Sequence, residues 1–269
     1  MVKEQEKLLK ELSTLVKVFK ASEGTIRPHF ILTGPSGSGK SHTIESLAEQ
    51  FDINFLEINA AQLTKEGTAG NSLSKALAPL ADHQSSLTLC FVDEFDKLFI
   101  SGNGSEGAHE TTTGVQNEFL KVLECDYTSV YGQYGHYNKI DISNVLFVFA
   151  GAFNGAENLT LDKLRDYGLK TEFLGRVGLL FQTEKMSVES MLEILGNSKT
   201  LKDYLKLFPK VKKDEVISCL KEHIVANYEK NTLGVRMMSN LVHQYFIKGS
   251  NFGKEQVQKT TFQNTLELK

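Results

Sequence analysis

Apolar residues along this chain follow two rhythms. Over residues 3–20, Leu8, Leu12, Leu15, Val16 and Phe19 recur at helical spacing with Lys and Glu between them, which predicts an amphipathic helix ended by Gly24. Four short runs lack that period. Residues 29–33, 87–92, 145–150 and 178–182 are apolar nearly throughout and read as strands buried on both faces. Residues 54–59 alternate and read as a fifth strand. Residues 40–51, 70–82 and 115–124 read as helices between them. Residues 100–114 are rich in Gly, Ser and Thr and read as a loop, as do residues 127–139. Apolar strands alternating with helices predict an α/β domain over residues 1–183, built on a five-stranded parallel sheet. From Met186 the strand signal stops. Helical periodicity over 187–195, 201–207, 214–228 and 235–247 predicts a helical domain over 184–250, followed by a polar tail, 251–269.

Composition narrows the function. The chain has 269 residues, and 41% are hydrophobic, enough for a true core. A net charge of −3 argues against a basic nucleic-acid coat. Cys90, Cys125 and Cys219 form no CxxC or Cys/His cluster, so neither a disulfide framework nor a zinc site is expected. The charged N-terminal segment has no apolar signal core, and no run approaches the roughly 20 apolar residues that span a bilayer. A soluble, cytoplasmic protein is expected, with no membrane association.

The chemistry concentrates at two strand ends. Residues 34–41 read GPSGSGKS, the GxxxxGKS pattern, between a predicted strand and a predicted helix. In such a P-loop, the segment of Gly34, Pro35, Ser36, Gly37, Ser38 and Gly39 wraps around phosphate with the backbone N–H groups of its non-proline residues turned inward, and the following helix aims its positive end at the same anion. Lys40 adds a cation, Ser41 a hydroxyl for Mg²⁺, and His42 completes the binding segment. The run 87–92 then delivers Asp93 and Glu94 at its carboxyl end, where open α/β sheets bind ligands. Asp93 suits Mg²⁺, and Glu94 suits a general base on the attacking water. The alternative is that both acids cap the next helix, with Asp96 and Lys97 as solvated neighbours.

These motifs and those that follow them resemble the ClpX/HslU branch of AAA+ ATPases. VDEFDKL at 92–98, GVQNEFLKVLE at 114–124, VLFVFAGAF at 145–153, EFLGR at 172–176 and Gly234-Val-Arg236 stand in the order of that family. The resemblance implies an ATP-hydrolysing α/β core with a helical lid, ATP and Mg²⁺ as cofactors, and a homo-oligomeric, hexameric ring. It implies that Arg176 is an arginine finger acting on the neighbouring subunit's ATP, and that Arg236 reaches the γ-phosphate of its own. The implied work is remodelling or threading of a protein substrate. The alternatives are a nucleic-acid-associated loader or a slow ATP-controlled assembly switch.

Departures from the family are specific. Gly67-Thr-Ala-Gly70 stands where the family has an aromatic pore loop, so Thr68 replaces the gripping tyrosine. The first-sensor position reads Ala150-Gly151, with Asn154 just beyond. No docking tripeptide for a ClpP-type peptidase is found, so that partner is not expected. With no N-terminal zinc module, a stripped-down relative of phage or mobile-element type is expected. The tyrosines at 127, 131, 134 and 137 read as local packing of an exposed connection, against pore lining or base stacking. Lys206, Lys210, Lys212 and Lys213 read as a solvated helix end. His109 and Glu110 have no companions for a metal site.

Overall fold

The structure is a computed structural model. It describes residues 5–65, 67, 70–99, 106–156, 158–228 and 234–249; the side chains of residues 106–112 and 133 lie outside that description. The chain forms two compact units that divide between Met186 and Ser187.

The first unit opens with helix α1 (Glu6–Ala21), whose Leu8, Leu12, Leu15, Val16 and Phe19 are all buried. Gly24 ends this segment with φ +84°, its N–H bonded to the Phe19 carbonyl. Strand β1 (Phe30–Thr33), helix α2 (Lys40–Phe51) and strand β2 (Asn54–Asn59) follow. A two-residue pair, β3 (Leu63–Thr64) and β4 (Asn71–Ser72), leads to the single turn α3 (Leu73–Ala76). Then come β5 (Thr88–Asp93), α4 (Glu106–Glu124), a hairpin of β6 (Tyr127–Tyr131) and β7 (Tyr137–Asp141), and β8 (Val145–Gly151). Two short helices, α5 (Leu161–Asp166) and α6 (Thr171–Arg176), precede β9 (Leu179–Gln182).

The main sheet is five-stranded and parallel, in the order β2-β5-β8-β1-β9. Alternation within each strand feeds two cores. Phe30, Leu32, Leu89, Phe91, Leu146, Val148 and Ala150 face α1 and α2. Ile31, Cys90, Val92, Phe147 and Phe149 face α4, α6 and the hairpin, where Phe95, Phe119 and Phe173 join them. There the rings of Phe95 and Phe173 stack at 5.1 Å, and Phe119 and Phe149 meet edge to face at 5.4 Å. Each such pair adds roughly 0.5–1.5 kcal/mol beyond burial.

Three predicted elements differ. Residues 70–82 are not one helix: α3 stops at Ala76 and a 3₁₀ segment, Ala78–His83, takes over where Pro79 removes a backbone donor. The predicted loop 100–114 is helical from Glu106, because α4 extends its strong apolar half back through Gly and Thr residues of weak helix propensity. Residues 127–139 are an antiparallel hairpin rather than a loop. Val130 and Ile140 are buried, while Tyr127, Tyr131, Tyr134 and Tyr137 are exposed. The tyrosines do pack locally, with Tyr131 edge to face on Tyr137 at 5.8 Å and Lys139 over Tyr127 at 4.6 Å.

The second unit contains α7 (Val188–Asn197), α8 (Lys199–Leu207), α9 (Lys213–Asn227) and α10 (Arg236–Lys248). Ser187 and Ser198 cap α7 and α8 through the N–H groups of Ser190 and Leu201. Met191, Leu195, Leu201, Val216, Leu220, Ile224, Met238 and Val242 form its interior. Lys206, Lys210, Lys212 and Lys213 are exposed, and Lys206 pairs with Asp203. The predicted tail lies outside the described residues. No described helix is long and apolar enough to cross a membrane.

Candidate functional site

All five parallel strands end on one edge of the sheet, and that edge carries the candidate chemistry. Strand β1 runs straight into the glycine-rich loop. Gly34, Gly37 and Gly39 have φ of +140°, +70° and +88°, a region that side chains other than glycine rarely enter. Gly34 has a second reason to be glycine: a Cβ there would lie 2.0 Å from Thr183 Oγ1 and 2.6 Å from the Thr183 carbonyl oxygen. No side chain caps α2, whose N-terminal N–H groups follow directly from Gly39.

Lys40 is buried, and its ammonium donates to the carbonyl oxygens of Gly34 at 2.8 Å and Pro35 at 3.0 Å. The loop is thus curled around its own cation. Ser38 is buried behind it, its hydroxyl 2.6 Å from that of Thr183. Thr183 donates from both its N–H and its hydroxyl to the Thr33 carbonyl. Gln5 Nε2 donates to the Ser38 carbonyl at 2.5 Å. Pro35, Ser36, Gly37 and Ser41 are partly or fully exposed, and His42 is exposed. A cavity of about 270 Å³ opens beside Pro35, lined also by Asn158, Gln182, Thr183, Glu184 and Lys185.

Strand β5 delivers the acids. Asp93 is its last residue, paired in register with Asn59 of β2. The Glu94 N–H donates to Asp93 Oδ1 at 2.8 Å, and Glu94 itself has φ +54°, a left-handed conformation that costs a non-glycine residue free energy. Glu94 is exposed at this turn. Burial, with Asp93 and Glu45 as neighbouring charges, raises the Glu57 carboxyl above its ordinary range.

Asp96 is not the solvated neighbour of the alternative, helix-capping reading. It is buried, accepts from the Phe153 N–H at 3.1 Å, and lies 3.6 Å from Lys97 Nζ. Gly151 makes room for it, since a Cβ there would meet Asp96 at 2.9 Å. Asp96 therefore ties the turn after β5 to the loop after β8; Ala150 near the end of that strand is buried, and Asn154 in the loop is exposed at φ +57°. Arg176 ends α6 and donates from Nη2 to Glu124 Oε1 at 3.1 Å. Arg236 opens α10 in the second unit and is exposed. Thr68 and Ala69 lie outside the described residues, as do the side chains of His109 and Glu110.

Sequence reasoning missed Gln5, Thr183 and Asp96. Each is a single polar residue far along the chain from its partner. Only the position of Thr183, directly after an apolar strand, hinted at a role on the ligand edge.

The donor set suits a nucleotide with a hard cation. Backbone N–H groups and Lys40 suit phosphate oxygens, while the Ser41 hydroxyl and the Asp93 carboxylate offer the oxygen ligands that Mg²⁺ prefers. Among the described residues no cluster of three or more His, Cys, Asp or Glu could hold a metal without such a ligand.

Comparison with known proteins agrees with this geometry. Residues 30–159 match the ATPase family associated with various cellular activities (AAA). The chain is 30% identical over 207 residues to the ATP-dependent Clp protease ATP-binding subunit ClpX 2 of Wolinella succinogenes, covering 64% of this chain and 52% of that one. It is 28% identical over 227 residues to the ClpX subunit of Porphyromonas gingivalis (68% and 55%), and 30% identical over 181 residues to that of Treponema denticola (62% and 42%). The chain spans about half the length of these relatives. With the parallel sheet, the glycine loop and the acid-ended strand in one unit, residues 30–159 carry a domain of the AAA family of ATPases, and the chain is similar to ClpX subunits.

Proposed function

We propose that this chain binds ATP·Mg²⁺ at residues 34–41, hydrolyses it, and works as a homo-oligomeric ring on a protein substrate. The observation that carries the reading is that the P-loop and the pair Asp93 and Glu94 leave the same carboxyl edge of one parallel sheet.

On nucleotide binding, Lys40 exchanges the carbonyls of Gly34 and Pro35 for phosphate oxygens, which leaves the loop N–H groups to wrap the same anion. Ser41 and Asp93 would hold Mg²⁺, which when bound would neutralise phosphate charge. Glu94 takes a proton from the attacking water. Arg176 serves the neighbouring subunit's site as an arginine finger, which makes a ring, hexameric by family resemblance, a requirement for turnover. Arg236 is the sensor of the terminal phosphate. The work on protein follows the names of the ClpX relatives.

One observation favours a second reading. The exposed tyrosine face of the hairpin offers stacking surfaces of the kind that single-stranded nucleic acid uses.

Glu94→Gln tests both. Loaded with ATP, this variant is expected to hold nucleotide without cleaving it and to retain cargo in a ring. Cargo destroyed by protease supports remodelling of protein; cargo destroyed only by nuclease replaces that reading with the second. Undiminished hydrolysis by Glu94→Gln removes Glu94 from its role.

A further inference from the structure

Arg176 does not stand alone at the end of α6. It is bonded through Nη2 to Glu124, the last residue of α4, and both side chains are about half exposed, at 52% and 45%. The backbones beneath them are rigid. Phe119 of α4 and Phe173 of α6 are fully buried and pack on the same ring of Phe149, at 5.4 and 4.9 Å. At the other end of α6, Lys170 Nζ donates to Asn117 Oδ1 of α4 at 2.5 Å. Helix α6 is thus tied to α4 at both of its own ends, and the part left free to turn is the arginine side chain.

A guanidinium has five donors in a planar fork. A one-point bond from Nη2 restricts where that fork can lie while leaving donors for a second anion. We propose that Glu124 is a positioning residue for Arg176: it holds the guanidinium so that its other donors meet the terminal phosphate in the neighbouring subunit. This rests on the reading of Arg176 as a finger in trans.

In the free subunit the pair is solvated and weak. A neighbour that covers it withdraws water and strengthens the bond. The orienting effect then enters turnover and not ATP affinity, because the phosphate-binding loop belongs to the other subunit. An exposed pair is worth up to about 1 kcal/mol, so losing Glu124 should lower kcat roughly fivefold.

The test measures kcat and KM for ATP with the full chain carrying Glu124→Ala, Glu124→Gln or Arg176→Ala, each alone and mixed in equal amount with Glu94→Gln. Glu124→Ala is expected to lower kcat roughly fivefold with KM within twofold and an unchanged melting temperature. Glu124→Gln keeps an acceptor oxygen and should recover at least half of the loss. Mixing should raise the rate per intact Glu94 site, because the Glu94→Gln subunit supplies a well-held Arg176 in trans.

A kcat that stays level or rises in Glu124→Ala overturns the proposal; a rise would mean that Glu124 competes with phosphate for the arginine. A loss that mixing does not repair overturns it too. Arg176→Ala separates the two readings. If it retains full activity, the finger role and this inference fall together. If it is inactive and repaired by mixing while Glu124→Ala behaves as wild type, only Glu124 loses its role.

Discussion

The hydroxyl of Thr183 lies 2.6 Å from that of Ser38, so the last residue-length of β9's exit is stitched to the glycine loop 145 residues earlier in the chain. Thr183→Val keeps the shape and removes that bond, leaving a buried Ser38 hydroxyl with one partner fewer. The expected cost is about 1–3 kcal/mol, read as a lower melting temperature and weaker titration by a fluorescent ATP analogue. An unchanged melting point would show that the stitch is incidental.

Gly34→Ala should be worse than Thr183→Val. The new methyl meets the Thr183 side chain and also its backbone oxygen, which cannot move aside without shifting β9. Overpacking of this kind costs about 1–3 kcal/mol before the φ of +140° is counted. Nucleotide binding should be lost together with stability, and trimming Thr183 should not restore it.

Lys40→Ala removes the cation that the loop encloses. Loss of its charge-assisted bonds to phosphate should weaken ATP by on the order of a hundredfold or more in an equilibrium titration. Because Lys40 also bridges Gly34 and Pro35, the free protein should lose loop order as well. Hydrogen exchange over residues 34–41 reads that second effect.

Asp96→Ala should uncouple the turn after β5 from the loop after β8. The buried Phe153 N–H loses its acceptor, at about 1–3 kcal/mol. Hydrolysis should fall more than nucleotide affinity, because the residue that shifts is Glu94. Equal loss of both would assign Asp96 to folding alone.

Acid should destabilise the first unit through His29. Its ring is buried beside Arg27 and accepts from the Phe147 N–H, and burial lowers its pKa from 6.5 to about 4. A folded pKa below the unfolded one means that the unfolded state binds the proton first. Stability is therefore full above pH 6.5, falls as pH drops toward 4, and levels off below that, by on the order of 3 kcal/mol in all. In His29→Leu the midpoint of urea unfolding should be lower than in the wild type above pH 6.5 and flatter across that window.

Where sequence and structure agree, a continuous signal did the work. Helix α2 and strand β2 are bounded as expected, because a glycine loop and a left-handed Asp52 punctuate a helical period that then becomes an alternating one. The parallel sheet was legible because its inner strands are buried on both faces and so are apolar throughout. The hairpin was not, since Val130 and Ile140 are the only buried positions among its described side chains and two positions do not make a period. Helix α4 hid its first half in Gly and Thr, and Pro79 was underweighted in 70–82. In the site, contiguous motifs placed Lys40, Asp93 and Glu94, whereas Thr183 and Gln5 reach the loop only through the fold.

Glu94 is followed at once by Phe95, and the ring of Phe95 stacks on Phe173, one helical turn before Arg176. The turn that carries Glu94 and the helix that carries Arg176 therefore meet in a single knot of phenylalanines. In close packing of this kind, a displacement on one side would be felt on the other. Around a closed ring, a shift at one site would arrive at the next as a change of aim, and the order in which sites fire would be written in ring-on-ring packing rather than in the nucleotide pocket.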